Sequence, residues 1–268
     1  MAVVLFTVAL LATATAVAST ASRSSAAVAA NLRAQATARA MAESGIVAAS
    51  TLIDDSLRAF IANGPSRDAF LGRLEPTVTG AQSLVQDTLA DGVFAVTVVD
   101  VSARLDVNSA GVEGLARLFS TVAAPATARD MAERIDAIVR GERLLNVDAA
   151  ERARDSLAAT LLGREVSPRQ RRPFESLDAL GDVSSMDRSV LAQVAPFLTV
   201  DGNGTINRRA ASREVLAAGT GSLVDRPSRL LLIARGWMRG HPLTRQIEAV
   251  FDVADDGLRL VRWRERDL

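Results

Sequence analysis

The pattern of apolar and charged positions predicts one long helix at the start of the chain. The first 22 residues carry no charge, and the first ionised side chain is Arg23. Alanine-rich sequence with a helical apolar stripe then continues until Asn63-Gly64-Pro65, a combination that ends helices. The pattern predicts a helix from about Met1 to Ala62. Its first third is apolar on every side and the rest is amphipathic, so the later part should pack on a globular domain.

After this helix the pattern alternates between strand and helix. Residues 66–90 look weakly helical and loop-like, and Val93–Val101 is rich in β-branched residues, which is typical of a strand. Residues 102–107 either extend this strand or form its partner. The helices then predicted are Gly111–Val122, Ala126–Arg140, Asp148–Leu162, Ser176–Leu180, Asp187–Phe197 and Ala211–Ala218. The strands predicted at the end are Arg229–Trp237, Arg245–Val253 and Gly257–Glu265, joined by turns at Gly240-His241-Pro242 and Asp255-Asp256-Gly257.

The order strand, helical block, strands predicts an α+β fold. A long N-terminal helix would pack on an antiparallel sheet, and an all-helical domain would be inserted into the connectivity of that sheet. The predicted division is a helix segment for a membrane or filament core at 1–22, the first part of the sheet domain at 23–108, the helical insertion at 109–225 and the C-terminal strands at 226–268.

The uncharged N-terminal segment is long enough, as a helix, to span the hydrocarbon core of a membrane. A helix of 22 residues spans about 30 Å, which is the thickness of a bilayer's hydrocarbon core. The segment is therefore predicted to be a membrane anchor that can also pack against partner helices. A cleaved signal peptide is the alternative, with Ala16-Val17-Ala18 as its cleavage site. The residues predicted to make the membrane or helix contacts are Met1, Val4, Leu5, Val8 and Leu11.

Composition excludes several kinds of chemistry. The chain has no cysteine, which rules out a disulfide framework, a thiolate zinc site and a cysteine nucleophile. The 31 basic residues balance the 31 acidic ones, so no net charge attracts nucleic acid. The one histidine, His241, lies in a turn, where a solvated tip is the better interpretation than a catalytic base. The chain is therefore predicted not to be an enzyme, with no catalytic, cofactor or metal residues.

Two segments partly match known binding motifs. Asp201–Asn207 matches the middle of an EF-hand loop, but Thr199 and Ala210 stand where the first ligand and the bidentate glutamate are needed. A tight turn is therefore the better interpretation. Phe174–Val200 has the pattern of a helix-hairpin-helix, but its hairpin, Val183–Asp187, has neither a glycine pair nor a basic cluster to approach phosphate. A helical packing module is favoured there.

Four stretches together resemble the K-type minor pseudopilin of bacterial type II secretion systems. The apolar start has no acid at its fifth position, Leu5, and Asp100-Val-Ser-Ala-Arg104-Leu-Asp106-Val-Asn108 resembles the family's D-x-x-G-K/R-x-N-L-N segment. Pro173-Phe174 with the following leucines is similar to R-P-F-x-S-x-x-E-L. Gly204-Thr-Ile206-Asn207 is similar to G-x-I-N. The residues carrying these motifs are Asp100, Arg104, Asn108, Pro173, Phe174, Ile206 and Asn207.

The resemblance implies a non-enzymatic assembly protein. It implies a subunit at the tip of the pseudopilus that nucleates and caps assembly with I-type and J-type minor pseudopilins for protein export. It also implies contact with the inner-membrane secretion platform, with a single-pass helix in the inner membrane and the globular part in the periplasm. Family members bind calcium through an acidic run, which is not seen here around Ile135–Val147. No cofactor is therefore expected.

Two other functions remain open at this point. One is a membrane-anchored helix-hairpin-helix protein that binds DNA, which would show a salt-dependent shift of DNA mobility. The other is a periplasmic protein, such as a hydrolase, with a cleaved signal peptide, which the mass of the mature N-terminus would reveal.

Overall fold

The computed structural model describes residues 1–63, 83–141, 173–183, 186–219, 221–254 and 257–267. The predicted helix at 148–162 and most of the predicted loop after the first helix therefore lie outside the described residues. So do Arg172 and the middle of the predicted hairpin at 184–185.

The first element is the long helix that the sequence predicts. Helix α1 runs over Ala2–Asn63, 62 residues, or about 93 Å at the usual helical rise. Its alanine-rich composition favours helix throughout. Every described side chain before Ala34 is exposed, whereas from Ala34 to Leu57 one face is buried. About half of the helix thus projects from the globular part.

The buried half of α1 lies on an antiparallel sheet of five strands. Its strands are β1 (Ser83–Leu89), β2 (Gly92–Asp100), β7 (Arg229–Met238), β8 (Thr244–Val253) and β9 (Leu258–Asp267), in the spatial order β1-β2-β7-β8-β9. The three C-terminal strands are joined as consecutive hairpins, as predicted. The core between helix and sheet comprises Met41, Ala42, Ile46, Ala49, Ile53, Leu57, Phe94, Val96, Val98, Leu230, Leu232, Ala234, Ile247, Ala249 and Phe251.

Strands β2 and β7 are hydrogen-bonded neighbours, so the intervening chain forms an insertion between adjacent strands. The helices described in this insertion are α2 (Gly111–Phe119), α3 (Pro125–Val139), α4 (Arg188–Val194) and α5 (Arg213–Ala218). A separate apolar core, centred on Leu115, Phe119, Met131, Ile135 and Leu198, holds them together. The predicted α+β class, with a long helix on an antiparallel sheet and an insertion, is confirmed. The domain boundaries within the chain stay a prediction.

The insertion also contains four short strands that the sequence pattern does not reveal. Strand β3 (Leu105–Asp106) pairs in parallel with β4 (Leu198–Thr199), and β5 (Thr205–Asn207) pairs in parallel with β6 (Ser222–Val224). The described part of the insertion also has single 3-10 turns at Val101–Ala103, Asp178–Asp182 and Ala195–Phe197. Residues 102–107 therefore neither extend β2 nor pair with it in the large sheet.

One prediction about the segment before β2 is wrong. Residues 83–89 are a strand, not a weak helix or loop, because a two-residue turn at Ala90-Asp91 folds them back on β2. Ala90 takes a positive φ of 52° to close that turn.

Among the residues whose side chains are described, no helix is long and apolar enough to cross a membrane.

Candidate functional site

The motif residues meet where β2 leaves the sheet and enters the insertion. Asp100 is the last residue of β2 and is fully buried. Its Oδ1 accepts hydrogen bonds from the backbone N–H of Ser102 at 2.9 Å and from the Ser102 hydroxyl, and its Oδ2 accepts one from Asn207 Nδ2 at 2.7 Å. Asn207 is itself fully buried at the end of β5. This bond joins two segments more than a hundred residues apart in sequence.

The Ser102 hydroxyl extends the same network back to the sheet. It accepts a hydrogen bond of 3.1 Å from the backbone N–H of Ser228, the residue before β7. Asp100, Ser102 and Asn207 therefore fix both points at which the chain passes between the sheet and the insertion. Buried groups of this kind are stable only when every polar atom has a partner.

Asn108 forms a second clamp a short distance away. Its Nδ2 donates to the carbonyl oxygens of Phe174 at 3.0 Å and Val200 at 3.1 Å, and its Oδ1 accepts from the Phe174 N–H at 2.7 Å. One side chain thus joins the end of β3, the segment at 173–183 and the segment after β4. Phe174 is buried beside it, and Ile206 is buried in the same core, whereas Pro173 is exposed.

A third group of polar contacts fastens the insertion to the last two strands. Asp201, whose side chain is only 5% exposed, accepts from Arg262 at 3.1 Å and from Arg264 at 2.5 Å. Glu248 of β8 binds Arg264 at 3.2 Å and Arg266 at 3.0 Å. The three arginines alternate along β9 and so share the sheet face opposite α1. On that face Arg264 also donates to the carbonyl of Glu175 at 2.6 Å, and its buried Nε has no hydrogen-bond partner among the described residues.

Sequence reasoning noticed part of this network but not its role. The sequence indicated Asp201 only as part of a weak calcium-binding motif. In the structure its carboxylate instead accepts hydrogen bonds from the guanidinium groups of Arg262 and Arg264. The alternation of arginines in the last strand was visible in the sequence. Its partners were not, because they lie 61 and 63 residues away along the chain.

The burial of Asp100 gives the stability of the protein a pH dependence with a definite sign. Burial raises the pKa of the Asp100 carboxyl above its ordinary value of 3.8, although the hydrogen bonds from Ser102 and Asn207 oppose the shift. The native state therefore binds this proton more tightly than the unfolded chain does. As the pH rises from the ordinary aspartate range, ionisation of Asp100 lowers the free energy of unfolding.

We expect the Asp100→Asn variant to lose this contribution. In urea unfolding from pH 4 to pH 7, the stability of the wild type relative to the variant should fall as the pH rises. Asp187→Asn is the contrasting control, because hydrogen bonds from Ser189 lower the pKa of Asp187 and its contribution is lost as the pH falls. A wild type that gains stability over Asp100→Asn with rising pH would contradict the assignment.

The predicted membrane and helix-packing residues lie in the projecting half of α1. Met1, Val4 and Leu11 are strongly exposed. The side chains of Leu5 and Val8 lie outside the described residues. Their predicted contacts with lipid or partner helices stay a prediction.

The other residues that the sequence suggested for catalysis, metal binding or DNA binding lie in separate parts of the structure. His241 lies in the turn between β7 and β8, where its Nε2 is 3.3 Å from the side-chain oxygen of Asn31. Across the described ranges, no three histidine, aspartate or glutamate side chains are close enough together to hold a metal ion. The helix-hairpin-helix candidate has only its flanks described: the 3-10 turn at Asp178–Asp182 and helix α4, which Asp187 caps.

The comparisons with known proteins bear on the fold. No protein-family model and no curated protein matches the chain. A chain in the crystal structure of the GspK-GspI-GspJ complex from the type 2 secretion system of enterotoxigenic Escherichia coli has a similar structure, with a TM-score of 0.56. The match covers 85% of this chain and 96% of that chain, at 13% sequence identity. The long helix, the antiparallel sheet and the insertion thus form a pseudopilin-like fold.

Proposed function

We propose that this chain is a minor pseudopilin of a type II secretion system. It acts at the tip of the pseudopilus, where it nucleates and caps assembly with I-type and J-type minor pseudopilins. It is a structural protein and not an enzyme. Its uncharged leading segment rests in the bacterial inner membrane beside the secretion platform, and its globular part lies in the periplasm.

The observation that carries the proposal is the division of α1 into two halves. The second half is buried against the sheet, whereas the described side chains of the first half are all exposed. A helix with alanine, valine and leucine exposed along about 48 Å needs either lipid or other helices to cover it. The match over nearly the whole of a chain from a minor pseudopilin complex supports the same assignment.

The insertion supports a position at the end of a fibre. It contains an independent apolar core and is tied to the sheet by buried hydrogen bonds and ion pairs, so it is a rigid addition to the pilin-like part. A bulky rigid unit on a helical subunit obstructs the addition of another subunit above it. The shape of the insertion would then end growth of the fibre at this subunit, which is the role of a cap.

The proposal is tested by assembly of the full chain with I-type and J-type subunits from the same bacterium. We expect the three to co-purify from detergent-solubilised membranes as one complex in size-exclusion chromatography. Absence of any complex, with each subunit separately folded, would overturn the proposal.

Two matched variants locate the contact. Leu11 and Val47 have nearly the same exposure, 64% and 63%, but Leu11 lies in the projecting half of α1 and Val47 in the half packed on the sheet. Leu11→Glu should abolish co-purification, because it places a charge where lipid or a partner helix must pack. Val47→Glu should leave the complex intact.

A further inference from the structure

A small polar cavity lies between the start of the insertion and its last strands. Its volume is about 270 Å³. One wall is the extended segment that contains β3, and the other consists of the ends of β5 and β6. The polar residues lining it are Arg104, Asp106, Ser109, Thr205 and Ser222.

Arg104 differs from Arg262 and Arg264 of β9 in making no direct side-chain contact with a carboxylate among the described residues. Arg262 and Arg264 each bind a carboxylate, whereas within the described part of the chain the Arg104 guanidinium makes no hydrogen bond and no ion pair. Burial lowers the pKa of Arg104, and the charge of Asp100 opposes that shift only in part. A partly buried guanidinium with unused N–H donors is stabilised when an anion occupies the space in front of it.

Asp106 supplies a second group in the same cavity. Arg104 is extended, with φ −122° and ψ 156°, and Asp106 follows two residues later in β3. Both residues line the cavity, and the charged groups that act on the Asp106 carboxylate are Arg229 and Asp201. Asp106 accepts hydrogen bonds from the Ser109 hydroxyl at 2.8 Å and the Asn108 N–H at 3.1 Å, which leaves its carboxylate with further acceptor capacity.

The two groups and the volume define a class of ligand. A guanidinium binds a carboxylate through two parallel N–H donors. A neighbouring carboxylate repels a second anionic group but accepts a hydrogen bond from a hydroxyl or an ammonium. A cavity of 270 Å³ lies below the usual range of about 300–1,000 Å³ for drug-sized ligands, so only a small molecule fits.

We propose that this cavity binds a small hydroxy- or amino-carboxylic acid, with the ligand's carboxylate on Arg104 and its hydroxyl or amino group on Asp106. This proposal is independent of the proposed function, because the cavity lies wholly within the insertion and does not involve α1. Occupancy would neutralise Arg104 beside the buried junction at Asp100. The protein should therefore be more stable when the ligand is bound.

The test is isothermal titration of the full chain, in detergent, with lactate and with acetate. Lactate should bind saturably and raise the unfolding temperature, and acetate, which lacks the hydroxyl, should bind at least tenfold more weakly. Arg104→Gln should reduce lactate affinity at least tenfold. Arg209→Gln, which removes an exposed arginine elsewhere in the insertion, should leave the affinity unchanged.

Further variants keep the test decisive if Arg104→Gln folds poorly. Arg104→Lys keeps the charge but not the planar pair of donors, so it should fold and bind lactate with intermediate affinity. Asp106→Ala, which leaves no side-chain acceptor for the ligand's hydroxyl, should remove the preference for lactate over acetate. Absence of saturable lactate binding to the folded wild type, or equal binding of lactate to wild type and Arg104→Lys, would overturn the proposal.

Discussion

Replacing Asp201 with alanine is expected to lower the free energy of unfolding by about 3–5 kcal/mol. The change removes the carboxylate that binds Arg262 and Arg264 and leaves two guanidinium groups close together on one sheet face. Glu248 remains, but it already binds Arg264 and Arg266. Because Asp201 belongs to the insertion and the arginines to β9, the loss also loosens the insertion from the sheet. Urea unfolding measures the effect.

Asp225→Ala is the matched control. Asp225 also pairs with an arginine, Arg208, but both side chains are substantially exposed. Exposed ion pairs of this kind contribute about 0–1 kcal/mol. If Asp201→Ala costs no more than Asp225→Ala, the buried network does not hold the insertion in place.

Replacing Gly236 with alanine is expected to cost about 3 kcal/mol or more. Gly236 lies in β7 directly under α1, where an added Cβ would stand 2.2 Å from the carbonyl oxygen of Ala38 and 2.4 Å from the backbone nitrogen of Ala42. Both atoms belong to the backbone of the helix, so no side-chain rotation relieves the clash. The helix must move away from the sheet, which opens the core between them. Thermal and urea unfolding should both show the loss.

Gly181→Ala makes the same chemical change in open space. A Cβ added at Gly181 meets no atom within 4 Å, and its φ lies outside the left-handed region. The substitution should change stability by less than about 1 kcal/mol, in the favourable direction if the effect on the unfolded chain dominates. Equal effects at Gly181 and Gly236 would show that close contact between helix and sheet is unimportant.

The sequence predicted the elements whose signals are local. Helix α1 was predicted to within a residue at either end, because alanine-rich sequence and the Asn63-Gly64-Pro65 stop both act over a few residues. The last three strands were predicted for the same reason, since alternating apolar residues and short turns define hairpins. The order of these elements was enough to predict an insertion into an antiparallel sheet.

Elements that depend on a partner strand were missed or misplaced. Strand β1 has the sequence S-L-V-Q-D-T-L at the edge of the sheet, with few β-branched residues and no buried side chain among those described. It is a strand because β2 pairs with it. The parallel pairs in the insertion are two or three residues long, too short for any periodicity.

The sequence by itself determined that the chain begins with an uncharged helix, ends in consecutive hairpins and has no cysteine or metal-binding pattern. It also singled out Asp100, Asn108 and Asn207 through a resemblance. Only the tertiary structure decided what these residues do, because Asn207 reaches Asp100 across 107 positions and Asn108 reaches Phe174 across 66. Contacts between distant segments depend on how the elements pack, and packing brings together groups that no local pattern relates.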